Sequence, residues 1–143
     1  MILVDTSVWV DYLNGSNEPH VNTLDLLLDL DIIVMADLIY MEILQGISNR
    51  DQFNKTKKIL DKLNRVSLGG FDLALKSAIN FNYLRSNGIT IRKSIDVLIG
   101  TYCHETGCKL LHNDKDFSNF NRLIKINIIS VAQQGDAPET GAI

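Results

Sequence analysis

The 143-residue chain has few residues of the kinds that build disulfide frameworks, structural zinc sites or membrane spans. Its two cysteines, Cys103 and Cys108, are too few for a disulfide framework, and no cysteine–histidine group has the spacing of a structural zinc site. We expect both to be reduced, half-buried thiols of a cytoplasmic protein. The most apolar region, residues 24–47, is repeatedly interrupted by acidic residues, whereas a membrane span needs about 20 nearly uncharged residues.

Several catalytic signatures are also missing from the sequence. It contains no P-loop, no GxGxxG segment and no compelling pattern of a serine or cysteine nucleophile with its histidine. The formal net charge of −3 argues against a protein that holds nucleic acid by bulk positive charge. A nuclease stays possible, because bound metal ions offset acidic side chains locally.

The length of the chain suits a single domain. We expect this domain to span residues 1–132. Residues 133–143 are small and polar, and they include two glycines and a proline. This composition predicts a flexible C-terminal tail, or an arm that becomes ordered on a partner.

Apolar strands alternate with helical patterns from one end of the chain to the other, which predicts an α/β fold with a parallel sheet and right-handed crossovers. The predicted strands are 2–5, 32–35, a short strand around Val66 and Leu68, 109–112 and 126–131. The predicted helices begin at a cap on Thr6 or Ser7, at residue 21, after a cap on Asp37, at residue 51, at Phe71 and at a cap on Ser94. A short turn is predicted at 121–123.

Four acidic residues stand at positions that such a fold brings to one end of its sheet. Asp5 follows the first strand, and Asp114 follows the strand at 109–112. Asp96 lies in the first turn of a helix, and Glu42 interrupts an otherwise apolar one. Ligands of parallel sheets bind outside the carboxyl ends of the strands. Because clustered carboxylates repel one another, this arrangement predicts a site for hard divalent metal ions.

Each acidic residue also has an ordinary structural interpretation. Asp5 can cap a helix, and Glu42 can reach solvent at the rim of the sheet. Asp96 can complement a helix macrodipole or pair with a neighbouring basic residue. Asp114 and Asp116 can simply form a turn. The coincidence of these acids at one edge favours a metal site, where two ions about 3.5–4 Å apart can activate a water for phosphodiester cleavage.

Four segments of the sequence, taken together and in order, resemble those of a known family. They are ILVDTSVWVDYL at the start, MEILQGI around Glu42, RKSIDVLIGTYC around Asp96 and LLHNDKDF around Asp114. The chain resembles PIN-domain ribonucleases, and specifically the VapC toxins of toxin–antitoxin pairs, over about residues 1–131. The resemblance implies a three-layer α/β/α sandwich with a central, mostly parallel sheet. It also implies an endoribonuclease that depends on Mg²⁺ or Mn²⁺ and inhibits translation by cleaving RNA.

The resemblance assigns roles to individual residues. It implies a catalytic and metal-binding quartet, with Asp5 and Asp96 as direct ligands, and an auxiliary acid; the five are Asp5, Glu42, Asp96, Asp114 and Asp116. Thr6 corresponds to a hydroxyl residue that orients water or phosphate. His112 departs from the family, which often has Ser or Thr there, so any hydroxyl contact from this strand is in doubt.

The resemblance further implies a homodimer and a cognate VapB-type antitoxin that reaches the carboxylates with an Arg or Lys. Because phosphates need cations, the candidate RNA contacts are Arg92, Lys93 and Lys115. Two alternatives stay open. One is a Mg²⁺-dependent phosphotransfer enzyme, although Ser7 stands where a haloacid-type phosphatase has its second aspartate. The other is a catalytically silent nucleic-acid-binding module of the same fold.

Overall fold

A computed structural model describes residues 1–131 of the chain. The predicted tail at 133–143, and residue 132 before it, lie outside the described residues. The strands are β1 (Ile2–Val4), β2 (Ile33–Ala36), β3 (Asn64–Val66) and β4 (Lys109–Leu111). The helices are α1 (Thr6–Leu13), α2 (Pro19–Leu28), α3 (Asp37–Gln45), α4 (Arg50–Asp61), α5 (Phe71–Ser86), α6 (Ser94–Thr106) and α7 (Lys115–Asn121).

The four strands form one parallel sheet in the order β3-β2-β1-β4. Every residue of β1 and β2 is buried, as expected of inner strands that are covered on both faces. The chain adds β2 and β3 on one side of β1 and then returns to add β4 on its other side. The strand order therefore reverses between β1 and β4, and the predicted parallel sheet is confirmed.

Three helices begin at residues that were predicted to be their caps, so the observed cap positions lie at least one residue earlier. The residues that precede α1, α3 and α6 with extended backbone are Asp5, Ala36 and Lys93. Asp37 is instead the first residue of α3, and its Oδ1 accepts hydrogen bonds from the backbone N–H of Leu38 and of Leu68, each at 2.8 Å. It thereby joins the start of α3 to the segment that follows β3.

The predicted strand at 126–131 is reduced to a single parallel bridge between Leu110 and Ile128. Two hydrogen bonds hold it: Leu110 N–H donates to the carbonyl of Asn127, and Ile129 N–H donates to that of Leu110, each at 2.9 Å. Ile126 at the start of this segment is buried. With only three residues in β4, the sheet offers this segment too few backbone partners for a longer ladder.

Helix α7 was not among the predicted helices. Asp114 caps it by accepting a hydrogen bond from the N–H of Asp116 at 2.9 Å. Its apolar face holds Phe117 and Phe120, both buried. The helix has only seven residues, and its Asn and Asp content is typical of turns, so the local pattern resembled a turn.

Among residues 1–131, no helix combines the length and the apolar character that crossing a bilayer requires.

The contact between α6 and α7 requires a glycine at position 100. A Cβ at Gly100 would stand 2.9 Å from ring carbons of Phe120, whose side chain is buried and cannot swing away. We expect Gly100→Val to lower the free energy of unfolding by about 1–3 kcal/mol, the usual cost of overpacking. Urea denaturation measures the change.

Gly69→Val is the matched control, because a Cβ at Gly69 meets no atom within 4 Å. Equal stability of the two variants would contradict this account of the α6–α7 contact.

Candidate metal centre

The reversal of strand order between β1 and β4 places the first two acidic residues. Asp5 directly follows β1, and its backbone N–H donates to the carbonyl of Leu111 at the end of β4, at 2.9 Å. Asp114 follows β4 three residues later. Where the order of a parallel sheet reverses, the crossover connections leave on opposite sides and open a crevice at the carboxyl ends of the strands. Both acids lie at that crevice.

Three carboxylates converge at this position. Asp96, Asp114 and Asp116 each offer an oxygen such that the three atoms lie within 4.8 Å of one another. Asp96 comes from the first turn of α6, Asp114 from the cap of α7 and Asp116 from its first turn. Asp96 and Asp116 are buried, at 5% and 6% exposure. Residues twenty positions apart in sequence thus form one anionic group.

The strongest electrostatic strain in the group falls on Asp96. Burial, followed by the charges of Asp5 and Asp114, raises its pKa from 3.8 to about 7. Its buried Oδ2 has no hydrogen-bond partner among the described residues. A buried carboxylate oxygen without a donor is costly unless it is protonated or bound by a cation.

Asp5 is held beside this group by its own helix. Its Oδ2 accepts hydrogen bonds from the hydroxyl of Ser7 at 2.7 Å and from the N–H of Ser7 at 3.3 Å, which caps α1. Burial raises the pKa of Asp5, the bonds from Ser7 and Thr6 lower it, and the charge of Asp114 raises it again. Asp5 is therefore both a helix cap and an electrostatic neighbour of the three carboxylates. The helix-cap interpretation of Asp5 and its interpretation as part of the acidic site are therefore compatible.

Glu42 is connected to this edge of the sheet through a hydroxyl. The side chain of Thr6 donates a 2.7 Å hydrogen bond to Glu42 Oε1. Glu42 is half-buried on α3, the helix that follows β2. Among the described residues, neither Glu42 nor Asp5 belongs to the group of three oxygens described above, so the predicted quartet is not a single set of mutually close atoms.

Arg92 partly neutralises the carboxylates. Its Nε lies 3.2 Å from Asp116 Oδ2, which also accepts from the backbone N–H of Arg92 at 3.3 Å. Its guanidinium lies 3.6 Å from Asp114 Oδ1. Since 73% of the Arg92 side chain is exposed, this cation lies at the mouth of the site and not within it. The predicted alternative, a pair between Asp96 and a neighbouring basic residue, is not formed by Arg92, whose partners are Asp114 and Asp116.

The other predicted cations flank the site. Lys93 directly precedes α6 and is exposed, and its positive charge lowers the pKa of Asp96 against the larger effects of burial and neighbouring acids. Lys115 is the exposed first residue of α7.

His112 has a structural contact at the site. Its Nδ1 accepts a hydrogen bond from the N–H of Asp114 at 3.1 Å, and its ring packs on Phe117 with centroids 5.2 Å apart. Burial lowers the pKa of His112, which favours the neutral ring that this hydrogen bond requires. The histidine thus helps to orient the segment between β4 and α7.

The arrangement fits a hard divalent cation. Mg²⁺ and Mn²⁺ favour a few carboxylate oxygens together with water and phosphate oxygens. Carboxylate oxygens would come from Asp96, Asp114 and Asp116, and a cation would also give the unpartnered Oδ2 of Asp96 a partner.

Two partners of the acids were not predicted from the sequence, namely Ser7 for Asp5 and Arg92 for Asp114 and Asp116. The hydrogen bonds that Asp5 and Asp114 accept from the N–H groups two residues later could have been predicted. Their Asp-x-Ser and Asp-x-Asp spacings are typical of turns in which a side chain bonds to the backbone.

Comparisons with known proteins agree with this geometry. A family model described as the PIN domain matches residues 2–123. Ribonuclease VapC11 of Mycobacterium tuberculosis is 27% identical in an alignment of 133 positions that covers 91% of this chain and 98% of that protein.

Two solved structures show the same fold. VapBC2 of Rickettsia felis, bound to a DNA fragment of its promoter, aligns with a TM-score of 0.72 at 19% identity, covering 92% of this chain and 100% of that one. VapC20 of M. tuberculosis, a toxin that cleaves the sarcin–ricin loop, aligns with a TM-score of 0.62 at 15% identity, covering 89% and 99%. The predicted three-layer α/β/α architecture is thereby confirmed.

The raised pKa of Asp96 has a consequence for stability. In the unfolded chain this carboxyl ionises near pH 3.8, whereas the metal-free folded protein keeps the proton up to about pH 7. The folded state therefore binds more protons between these values, and stability falls as pH rises through that window. In EDTA we expect Asp96→Asn to be more stable than the parent by on the order of 2 kcal/mol at pH 8, and little different at pH 4.

Urea denaturation at both pH values measures this difference. Asp25→Asn, at an exposed position on α2, controls for the loss of one negative charge. If the difference in free energy of unfolding between Asp96→Asn and the parent is the same at pH 4 and at pH 8, the pKa of Asp96 is not raised in the folded protein.

Arg92 and a metal ion compete for the same carboxylate charge. We expect Arg92→Gln to bind Mn²⁺ roughly three- to tenfold more tightly than the parent, with a larger ratio at low salt. Isothermal titration calorimetry measures the affinity. Arg85→Gln, whose guanidinium contacts Asn82 on α5, should leave it unchanged. Identical affinities for all three proteins would mean that the Arg92 guanidinium does not compete.

Proposed function

We propose that this chain, which belongs to the PIN-domain family, is a Mg²⁺- or Mn²⁺-dependent endoribonuclease and the toxin of a VapBC-type pair. The observation that carries the proposal is the convergence of Asp96, Asp114 and Asp116 at the switch point of a family-matching fold. The names of its relatives support the activity: VapC11 is a ribonuclease and VapC20 cleaves RNA of the sarcin–ricin loop.

Asp96, Asp114 and Asp116 would hold the metal, with Asp5 contributing a ligand or a neighbouring negative charge. A divalent ion bound there supplies Lewis-acid polarisation of a phosphodiester oxygen and lowers the pKa of a bound water. Burial and then the charges of Asp5 and Asp114 raise the pKa of Asp96, and a cation held there would favour its ionised form. Metal binding would therefore release a proton from Asp96 at and below neutral pH.

The remaining site residues position the RNA and the solvent. Glu42, held by the hydroxyl of Thr6, stands at the same edge of the sheet as an acceptor for water. The exposed cations Arg92, Lys93 and Lys115 meet the phosphates on either side of the bond that is cut. The reaction proposed is hydrolysis of that bond, directed in line at phosphorus.

The same carboxylates suit a protein inhibitor. Arg92 shows that a guanidinium can pair with Asp116 from the mouth of the site. A VapB-type antitoxin that presents an Arg or Lys there would add a second cation and displace the metal. We further propose that the chain is a cytoplasmic homodimer that cleaves RNA required for translation when the antitoxin is removed.

The nuclease activity is testable on purified protein. We expect Mn²⁺-dependent cleavage of total RNA by the parent, and a loss of at least about 100-fold for Asp96→Asn and Asp5→Ala, because each removes a carboxylate from the site. EDTA should abolish cleavage by the parent. Asp25→Asn, on the exposed face of α2, is the matched control and should stay fully active.

Circular dichroism verifies that each variant is folded. Full activity of folded Asp96→Asn would defeat the site assignment, and RNA binding without any cleavage by the parent would favour the silent module. Expression with and without the neighbouring open reading frame, followed by mapping of RNA 5′ ends, separates a toxin from a housekeeping nuclease. A toxin arrests growth and its neighbour relieves the arrest.

A further inference from the structure

A polar pocket lies next to the three carboxylates. Its volume of about 350 Å³ is within the range of sites that bind small ligands. Three parts of the chain enclose it: the start of α2, the segment from the end of β4 into α7, and the residues after the bridge to β4. The polar side chains in its lining are Glu18, His20, His112, Asn113 and Ser118.

One short segment joins this pocket to the carboxylates. His112 and Asn113 line the pocket, and the next residue, Asp114, belongs to the carboxylate group. The N–H of Asp114 donates to His112 Nδ1 at 3.1 Å, so the two sites are held at a fixed separation. A nucleotide whose phosphate lies at the carboxylates can therefore place its base in the pocket.

The walls of the pocket are firmly held and partly aliphatic. His20 is buried on α2, and its Nε2 lies 2.7 Å from Asp11 Oδ2, which fixes the start of α2 against α1. Pro19 begins α2, and Ile128 and Ile129 belong to the segment that is bonded to β4. Aliphatic side chains pack on the flat faces of a nucleobase, and the polar groups are left for its edge.

The polar groups of the pocket include donors and one strong acceptor. Because His112 Nδ1 accepts a hydrogen bond, the neutral ring carries its proton on Nε2, which is a donor. The exposed side chains of Asn113 and Ser118 can each donate as well as accept. The carboxylate of Glu18 only accepts, and its two oxygens can accept two parallel bonds. Its charge repels a phosphate, so the pocket suits a neutral base and not the RNA backbone.

The carboxylate of Glu18 distinguishes among the four bases of RNA. Guanine presents two adjacent donors, N1–H and N2–H, which match the two oxygens of a carboxylate. Adenine and cytosine present their amino group beside a ring nitrogen that bears a lone pair, and uracil presents its N–H between two carbonyl oxygens. These three bases would each turn a lone pair toward Glu18, whereas the donors of the pocket suit O6 and N7 of guanine.

We propose that this pocket binds an unstacked guanine next to the phosphate that is cut, with Glu18 as a specificity-determining residue. The inference rests on the proposed ribonuclease function and adds a preference among RNA sequences to it. Proteins commonly recognise single-stranded RNA through bases that are turned out and hydrogen-bonded along their edges. A site built to hydrogen-bond one group strongly rejects analogues that lack it, so this carboxylate can bias where the RNA is cut.

Binding of the four ribonucleoside 5′-monophosphates tests the pocket without any cleavage. The full chain in EDTA is titrated with GMP, AMP, CMP and UMP, and heteronuclear NMR spectra report both affinity and position. Because all four nucleotides carry the same phosphate, a difference between them reports the base. We expect GMP to bind at least about tenfold more tightly than the others, with shifts at residues 18–20 and 112–118, because hydrogen bonds to a charged group are strong.

A substitution at Glu18 tests its role in the choice of base. Glu18→Gln replaces one acceptor oxygen with a donor, so we expect it to bind the four nucleotides within roughly twofold of one another. Asp25→Asn, at an exposed position on the helix that Glu18 precedes, is the matched control and should keep the preference for GMP. A parent protein that binds the four nucleotides equally would overturn the proposal. So would shifts confined to residues outside the pocket, or an unchanged preference for GMP in folded Glu18→Gln.

Mapping of the cut sites separates this inference from the proposed function. In Mn²⁺, the parent and Asp25→Asn should cut total RNA beside guanine more often than Glu18→Gln does. Cleavage by the parent without a preference for guanine would defeat the inference and support the nuclease. Selective binding of GMP by a protein that cleaves no RNA would support the guanine pocket and defeat the proposed nuclease.

Discussion

Repulsion among carboxylates in a half-buried crevice is the constraint to which the rest of this structure responds. Asp96 is buried with an unpartnered oxygen, and its pKa is raised to about 7 by burial and by the charges of Asp5 and Asp114. Such an arrangement costs stability in the absence of a cation. The fold holds it because the rest of the molecule supplies a core and a rigid frame, with β1 and β2 buried on both faces.

Hydrogen bonds with the backbone reduce the free-energy cost of placing these carboxylates together, because two of the acids also cap helices. Asp5 caps α1 through Ser7, and Asp114 caps α7 through the N–H of Asp116. Arg92 covers Asp116 from the solvent side. These bonds orient the carboxylates without filling the space between them. The result is an anionic group whose geometry is set by the chain itself, as the proposed metal site would require.

Much of this could be predicted from the sequence, and the misses have physical causes. Long periodic segments such as α5 and α6 were predicted to within one or two residues, because their apolar pattern and closing glycines are local signals. Helix α7 and the segment at 126–131 were predicted wrongly. The first is too short for periodicity to distinguish it from a turn, and the second lacks a long enough partner strand.

The sequence by itself determined the order of strands β1 to β4 and of helices α1 to α6, the apolar inner strands and the identity of the acidic residues. These follow from side-chain pattern and from local backbone preference. Only the tertiary structure decided that Asp96, Asp114 and Asp116 share one cluster while Glu42 is held through Thr6, and that Arg92 pairs with Asp116. Those distances depend on how α6 and α7 pack at the reversal between β1 and β4, and packing of distant elements leaves no trace in local spacing.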